Sequence, residues 1–373
     1  MNKELRILYV EDLEESRNDL IDLLSGEVIN GYTISCDGEA SFDMAVNRCD
    51  DYHIVILDVF QGEATQGGVD LGSGTFEKIK EKIFVPVIFY SGYTRNVAEL
   101  RSQVVGVAHK GEGGYDELKT ELERLTKHKF PFLKENIHSY FEKEYKNYFW
   151  NVIQERNNIF TPDDDDYSLG YMLLRNIADS LSKHNIKQII GDDSILEEKA
   201  HPMEFYIYPT NTYSEYECGE LLQKENDKYV ILTPTCDFIL RSGGKRKVDD
   251  VVLLETILLQ DTDEYKQYKK KIENAKGDMD KINNARNVFS QFLRSGKSDR
   301  YFFLPKTPFT ENRIVDFQKK VTVDYSQLKL NYTRIAKLDN PFAQSMVASY
   351  IRYYNRIGFP DLDTDYIIGH LNQ

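Results

Sequence analysis

Short apolar runs punctuate the first 110 residues at Arg6–Val10, His53–Leu57, Pro86–Tyr90 and Val104–Ala108, with a further one at Tyr32–Cys36. The stretches between them carry helical spacing. Glu14 to Leu24 sets Leu20, Leu23 and Leu24 on one face, and Gly26 stops it. Ala40–Arg48, Gly74–Ile83 (Phe76, Ile79 and Ile83 on one side), Thr94–Leu100 and Tyr115–Leu125 read as further helices, with Thr94 as a cap. Strands that alternate with helices predict a doubly wound α/β unit over residues 1–126, its parallel sheet covered on both faces.

The texture changes twice more. Lys127-His-Lys-Phe-Pro-Phe132 is a break, and Leu133 to Ile159 is helical and aromatic. The acidic run Thr161–Asp166 reads as a solvated loop and helix start, and Tyr167–His184 as another helix. Residues 127–200 are therefore expected to form a helical linker module that transmits a signal or makes a dimer surface. From 201 to 373 the pattern is strand-rich: Glu204–Tyr208, Cys218–Leu222, Lys228–Thr233, Asp250–Ile257, Arg300–Pro305 and Arg313–Val323. Strands at this density without helical alternation predict a small antiparallel barrel. A polar helical insertion, residues 261–298, interrupts it and breaks near Gly277. A terminal helix follows over Asn340–Gly358, with Phe342, Met346, Tyr350, Ile351 and Tyr354 expected inward.

The first sheet has a chemistry at its edge. Its runs end in Glu11-Asp12, in Asp58, in Ser91 and in His109-Lys110. Ligands of open parallel sheets sit outside the carboxyl ends of the strands. Clustered carboxylates there suit a hard cation such as Mg²⁺. A carboxylate can also attack a phosphoryl group to give an aspartyl phosphate.

The order of acid pair, Asp, Ser and Lys at successive strand ends resembles the receiver domain of bacterial response regulators, over roughly residues 4–126. The resemblance implies a flavodoxin-like strand order 2-1-3-4-5. It implies that Asp58 takes the phosphoryl group, that Asp12 binds Mg²⁺ directly and Glu11 through water, and that the Phe60 carbonyl is a backbone ligand. Ser91 would be the switch hydroxyl, and Lys110 would pair with the phosphoryl oxygens. The partner would be a histidine kinase or phosphotransfer protein. Three positions depart from the family: Gly111 follows the lysine where proline is usual, Val107 replaces the switch aromatic, and the loop Gln61–Gly74 is long and Gly-rich.

Charge separates the two halves. Residues 1–200 carry 22 Lys and Arg against 37 Asp and Glu, and residues 201–373 carry 25 against 24. The acidic front half repels nucleic acid, while the near-neutral back half leaves it open as a partner. No run is long and apolar enough to span a membrane, and the N-terminus has no signal-peptide core. Four cysteines in 373 residues make no disulfide framework, which gives the expectation of a reduced, cytoplasmic protein.

Back-half chemistry is sparse. Thr235-Cys236-Asp237 follows an apolar strand, and His201 is the one histidine available as a base before His370. A packed thiol and a turn-capping Asp237 explain the same residues without chemistry. Zinc on Cys218, Cys236 and His201 lacks a Cys-x-x-Cys pair. In element order alone the region resembles the SH3-like barrel of MazF-like endoribonucleases, with no motif shared. The expectation is a phosphorelay response regulator whose receiver switches an atypical effector. A receiver-gated nuclease or hydrolase, and a phosphorylation-gated interaction module, are the competing outputs.

Overall fold

A computed structural model describes residues 3–61, 69–70, 72–127, 129–155, 166–191, 198–294, 300–356 and 362–371. The chain divides into two compact units, Met1–Glu197 and Glu198–Gln373. None of the described helices is long and apolar enough to cross a membrane.

The first unit is built on β1 (Lys3–Val10), β2 (Val28–Ile29), β3 (Tyr32–Glu39), β4 (Ile54–Leu57), β5 (Phe60–Gln61), β6 (Val69–Asp70), β7 (Val87–Ser91) and β8 (Val105–His109). Its helices are α1 (Glu14–Leu24), α2 (Phe42–Arg48), α3 (Gly72–Lys82), α4 (Gly114–Lys127), α5 (Phe130–Tyr148), α6 (Asp166–Ser180) and α7 (Lys183–Ile190). The main sheet runs β2-β3-β1-β4-β7-β8, parallel throughout except at β2. Strand alternation sends Leu5, Ile7 and Tyr9 to one face, under Leu20 and Leu24 of α1 and Leu118, Leu122 and Leu125 of α4. Leu8 and Val10 go to the other, under Phe42 and Ala45 of α2 and Phe76 and Ile79 of α3. With both faces covered, strands such as Ile54–Leu57 are apolar at every position and fully buried.

Several expectations for this unit need correction. Leu23 is 55% exposed, because the buried stripe of α1 is only as wide as Leu20 and Leu24. Strand β2 went unread: Asn30-Gly31, both at positive φ, turn the chain back as a hairpin onto Tyr32 and add a sixth, antiparallel strand. The helix expected over Thr94–Leu100 does not form. Val97 is the only residue there that is fully buried, and the amides of Val97 and Leu100 bond three residues back, leaving turns and one 3₁₀ turn at Ala98–Leu100. Seven residues with a single apolar anchor are too few to nucleate an α-helix.

Helix α5 docks on this unit through Phe132, which stacks on Tyr32 at 4.3 Å. Its Glu135 faces Nε2 of buried His53 at 3.0 Å, and His53 Nδ1 accepts from the Arg6 amide at 2.9 Å. Burial pulls the His53 pKa down, against the pull of Glu135, so a neutral ring with its proton on Nε2 fits both contacts. Phe149–Gln154 continues α5 as a π-helix. Of the acidic run, Thr161 to Asp165 lie outside the described residues, as do residues 62–68 and 71 of the Gly-rich loop.

The second unit holds β9 (Tyr206–Ile207), β10 (Glu220–Lys224), β11 (Asp227–Ile231), β12 (Asp250–Leu258), β13 (Tyr301–Leu304), β14 (Arg313–Asp324) and β15 (Thr333–Leu338). Its helices are α8 (Thr235–Phe238), α9 (Asp263–Asn274), α10 (Met279–Leu293), α11 (Tyr325–Asn331), α12 (Phe342–Tyr354) and α13 (Thr364–Leu371). The sheet order is β13-β14-β12-β11-β10-β15-β9, and every pairing is antiparallel. The expected barrel is therefore open: no ladder joins β9 to β13 among the described residues. The segment that leaves β13 contains Pro305 and Pro308, which have no amide to give a ladder. A side chain spans the gap instead, as the Tyr206 hydroxyl donates to the Pro305 carbonyl at 3.1 Å. Strand β15 was also unread. The insertion is a helical pair, α9 and α10, turning at Gly277 with φ +89. On α12 the inward face is Met346, Ser349 and Tyr353, while Ile351 and Tyr354 are exposed, because the buried stripe lies one step around the helix from the expected one.

Candidate functional site

Sheet register brings four strand ends of the first unit together. Val10 pairs with Leu57, so Glu11 and Asp58 leave adjacent strands side by side. Leu57 pairs with Phe89, and Ser91 pairs with His109. The Lys110 amide donates to the Ser91 carbonyl at 2.8 Å, which carries the same register one residue past β8.

The Lys110 ammonium lies between two carboxylates. It donates to Asp58 Oδ2 at 3.4 Å and to Glu11 Oε2 at closer range. Glu11 is fully buried, and its other contacts are the Tyr9 hydroxyl, donating to Oε2 at 2.9 Å, and the Leu13 amide, donating to Oε1 at 3.1 Å. Burial raises the Glu11 pKa and the Asp58 charge adds to it, against the hydrogen bonds from Lys110 and Tyr9. Burial works against the Lys110 charge, but Glu11 and Asp58 outweigh it and its pKa is raised. Tyr9 is also pushed up, by burial and then by the Glu11 charge, so it stays a donor.

Around this core, Asp58 Oδ1 accepts from the Val59 amide at 2.6 Å. Arg17 donates to the carbonyls of Glu11 at 2.7 Å and Asp12 at 3.3 Å, fixing the acidic turn. Ser91 is buried, and its Oγ accepts from the Tyr93 amide at 3.3 Å. Tyr93 meets Phe60 edge to face at 5.9 Å, joining the loop after Asp58 to the loop after Ser91. Phe60 itself pairs with Asp70 across the β5–β6 ladder. Gly72 closes that loop: a Cβ there would collide with the Asp58 carbonyl oxygen.

Glu11, Asp58 and Lys110 thus meet directly, with Ser91 on the neighbouring strand end and Asp12 beside Glu11. The sequence reading missed Tyr9 and Tyr90, whose ring centroids both lie 5.9 Å from the Lys110 ammonium. Tyr9 was findable, since it stands two residues before Glu11 on a strand and so shares its face. Among the described residues no three His, Cys, Asp or Glu side chains stand close enough together to hold a metal ion. The donor chemistry nonetheless fits a hard divalent cation. One ammonium serves the two carboxylates of Glu11 and Asp58, which leaves one negative charge unbalanced among these three side chains.

In the second unit Cys236 and Asp237 lie on the single turn of α8, with Cys236 exposed and its Sγ 3.7 Å from Asp237 Oδ1. His201 is engaged elsewhere, its Nδ1 accepting from the Met203 amide at 3.2 Å as a helix cap. Next to α8 is a cavity of about 470 Å³, lined by Cys218, Thr235, Lys337 and the α12 residues Ala343 and Val347. Burial pushes the Cys218 thiol up to about 11, which keeps it protonated and a poor nucleophile near neutral pH.

No protein-family model matches the chain, and no curated protein matches it. Among solved structures, the receiver domain from Hybrid Histidine Kinase CckA is similar over 32% of this chain and 98% of its own, at 23% identity and a TM-score of 0.24.

Proposed function

We propose that residues 1–126 are a phosphoryl-accepting receiver, with Asp58 as the acceptor and the second unit as the responding part. The observation that carries this reading is Lys110 held between Glu11 and Asp58 at the carboxyl edge of a parallel sheet. Taken without β2, the sheet neighbours run second, first, third, fourth, fifth strand, which supports a flavodoxin-like order.

The donor is a phosphohistidine on a kinase or phosphotransfer protein. An Asp58 carboxylate oxygen forms the O–P bond as the P–N bond breaks, and the donor imidazole keeps the electron pair. Lys110 moves with the charge, from the Asp58 carboxylate to the phosphoryl oxygens. Ser91 then supplies a hydroxyl to the phosphoryl group. Asp12 and Asp58, the Phe60 carbonyl and, through water, Glu11 would hold Mg²⁺, which when bound neutralises phosphoryl charge. With Val107 in place of an aromatic ring, the change passes through the Ser91–Tyr93 and Phe60 loops rather than a rotamer flip of that side chain.

Incubating the full chain with acetyl phosphate and Mg²⁺ tests this by intact mass. One added phosphoryl group, absent in Asp58→Asn, is the expected result. An unchanged mass in the native chain, or the same gain in Asp58→Asn, overturns it.

A further inference from the structure

The second unit holds an ionic cluster with the opposite charge balance, and this inference does not rest on the receiver reading. Lys228 is the second residue of β11 and Arg313 the first of β14; they are only 7% and 5% exposed. Both turn to one carboxylate, that of Glu311. Lys228 Nζ donates to it at 3.1 Å and Arg313 Nη1 at 3.2 Å. The remaining donors reach neutral oxygens. Lys228 Nζ donates to the Phe309 carbonyl at 3.1 Å, and Arg313 Nε to Thr256 Oγ1 at 2.7 Å. Two buried cations therefore share one anion, and that anion is the most solvent-exposed member of the cluster, at 60%. Buried cations without full compensation are costly, so an anion carrying more charge than one carboxylate is favoured over Glu311. The same turn carries Thr307, whose buried hydroxyl has no hydrogen-bond partner among the described residues.

An aromatic platform adjoins the cluster. The ring of Phe309, whose carbonyl takes the Lys228 bond, stacks on Tyr208 at 4.2 Å with 5° between planes. Tyr208 is 55% exposed. An exposed ring stacked on the residue whose carbonyl holds Lys228 suits a ligand with a phosphate at one end and a base at the other. An acidic peptide would use the cations and leave the ring idle.

We propose that Lys228, Arg313 and Tyr208 form a nucleotide site, in which a phosphate takes the place of the Glu311 carboxylate and the base stacks on Tyr208. Glu311 is then an internal competitor for the ligand. Removing its charge should tighten binding, a sign that a purely structural ion pair would not give.

Equilibrium dialysis of the full chain against AMP, inorganic phosphate and a short single-stranded RNA tests the assignment. Glu311→Gln is expected to tighten AMP and phosphate about tenfold, as loss of one charge-assisted competitor implies. Tyr208→Ala is expected to weaken AMP about tenfold while leaving phosphate unchanged. Lys228→Met is expected to abolish both. RNA bound more tightly than AMP assigns the site to a strand, and equal binding assigns it to a free nucleotide. The proposal is overturned if Glu311→Gln leaves AMP affinity unchanged or shows no AMP or RNA binding. Loss of AMP and phosphate in equal measure in Tyr208→Ala also overturns it. Glu311 and Tyr208 are both exposed, so these variants decide the matter even if Lys228→Met does not fold.

Discussion

Lys110 faces two carboxylates, whereas Lys228 and Arg313 face one. The two clusters use the same ingredients in opposite proportion. In the first unit the acid Glu11 is fully buried and the cation has partial access to solvent. In the second the cations are buried and the acid Glu311 is at the surface. The first arrangement has negative charge to spare, and the receiver proposal puts a metal cation there. The second has positive charge to spare and suits an anion. Which sign is left over, and which group can move, decides what a buried ion cluster is able to bind.

Lys110→Met leaves Glu11 buried without its cation and should cost the first unit about 3 kcal/mol at neutral pH, read by denaturant unfolding. A loss too small to measure would mean that Glu11 is compensated by Tyr9 and Leu13 alone.

A smaller effect separates the clusters by pH. The Glu11 pKa is raised in the folded protein, so the stability linked to it is present below the ordinary Glu value and is lost as pH rises through its raised value. Thermal unfolding should therefore show a decline over that window in the native chain, flattened in Glu11→Gln. Equal slopes in both would remove Glu11 from the account.

Glu311 should behave in reverse and more weakly. Its own backbone amide, then Lys228, hold its carboxyl down to about 2. Its contribution is present above the ordinary Glu value of about 4.3 and is lost as pH falls from there toward about 2. Because the carboxylate is mostly in water, Glu311→Gln should change stability at neutral pH by no more than about 1 kcal/mol. A loss as large as that of Lys110→Met would make the second cluster a structural ion pair.

The two clusters also differ in how far the sequence announced them. Glu11, Asp12, Asp58, Ser91 and Lys110 each follow an apolar run, and a parallel sheet gathers strand ends at one edge. Register then needs no long-range guess, because Val10, Leu57 and Phe89 lie level in neighbouring strands. The second cluster had no such rule. Lys228 and Arg313 are 85 positions apart in an antiparallel sheet whose order, β14-β12-β11, follows no local pattern. Glu311 and Phe309 lie in a turn whose place depends on the whole sheet. Similar limits account for the other differences. The Asn30-Gly31 hairpin is written in turn chemistry, with both residues at positive φ. Thr94–Leu100 had helical residues but only Val97 to bury. The barrel stayed open because a proline-bearing segment occupies the edge that closure would need.

The receiver proposal puts a phosphoryl group on Asp58, with Lys110 and Glu11 beside it. Fluorine NMR of the full chain with beryllofluoride, a phosphoryl mimic, tests it most directly. The account expects stoichiometric bound fluoride signals that require Mg²⁺ and vanish in Asp58→Ala. Bound signals that survive in Asp58→Ala, or none in the native chain with Mg²⁺ present, would contradict it.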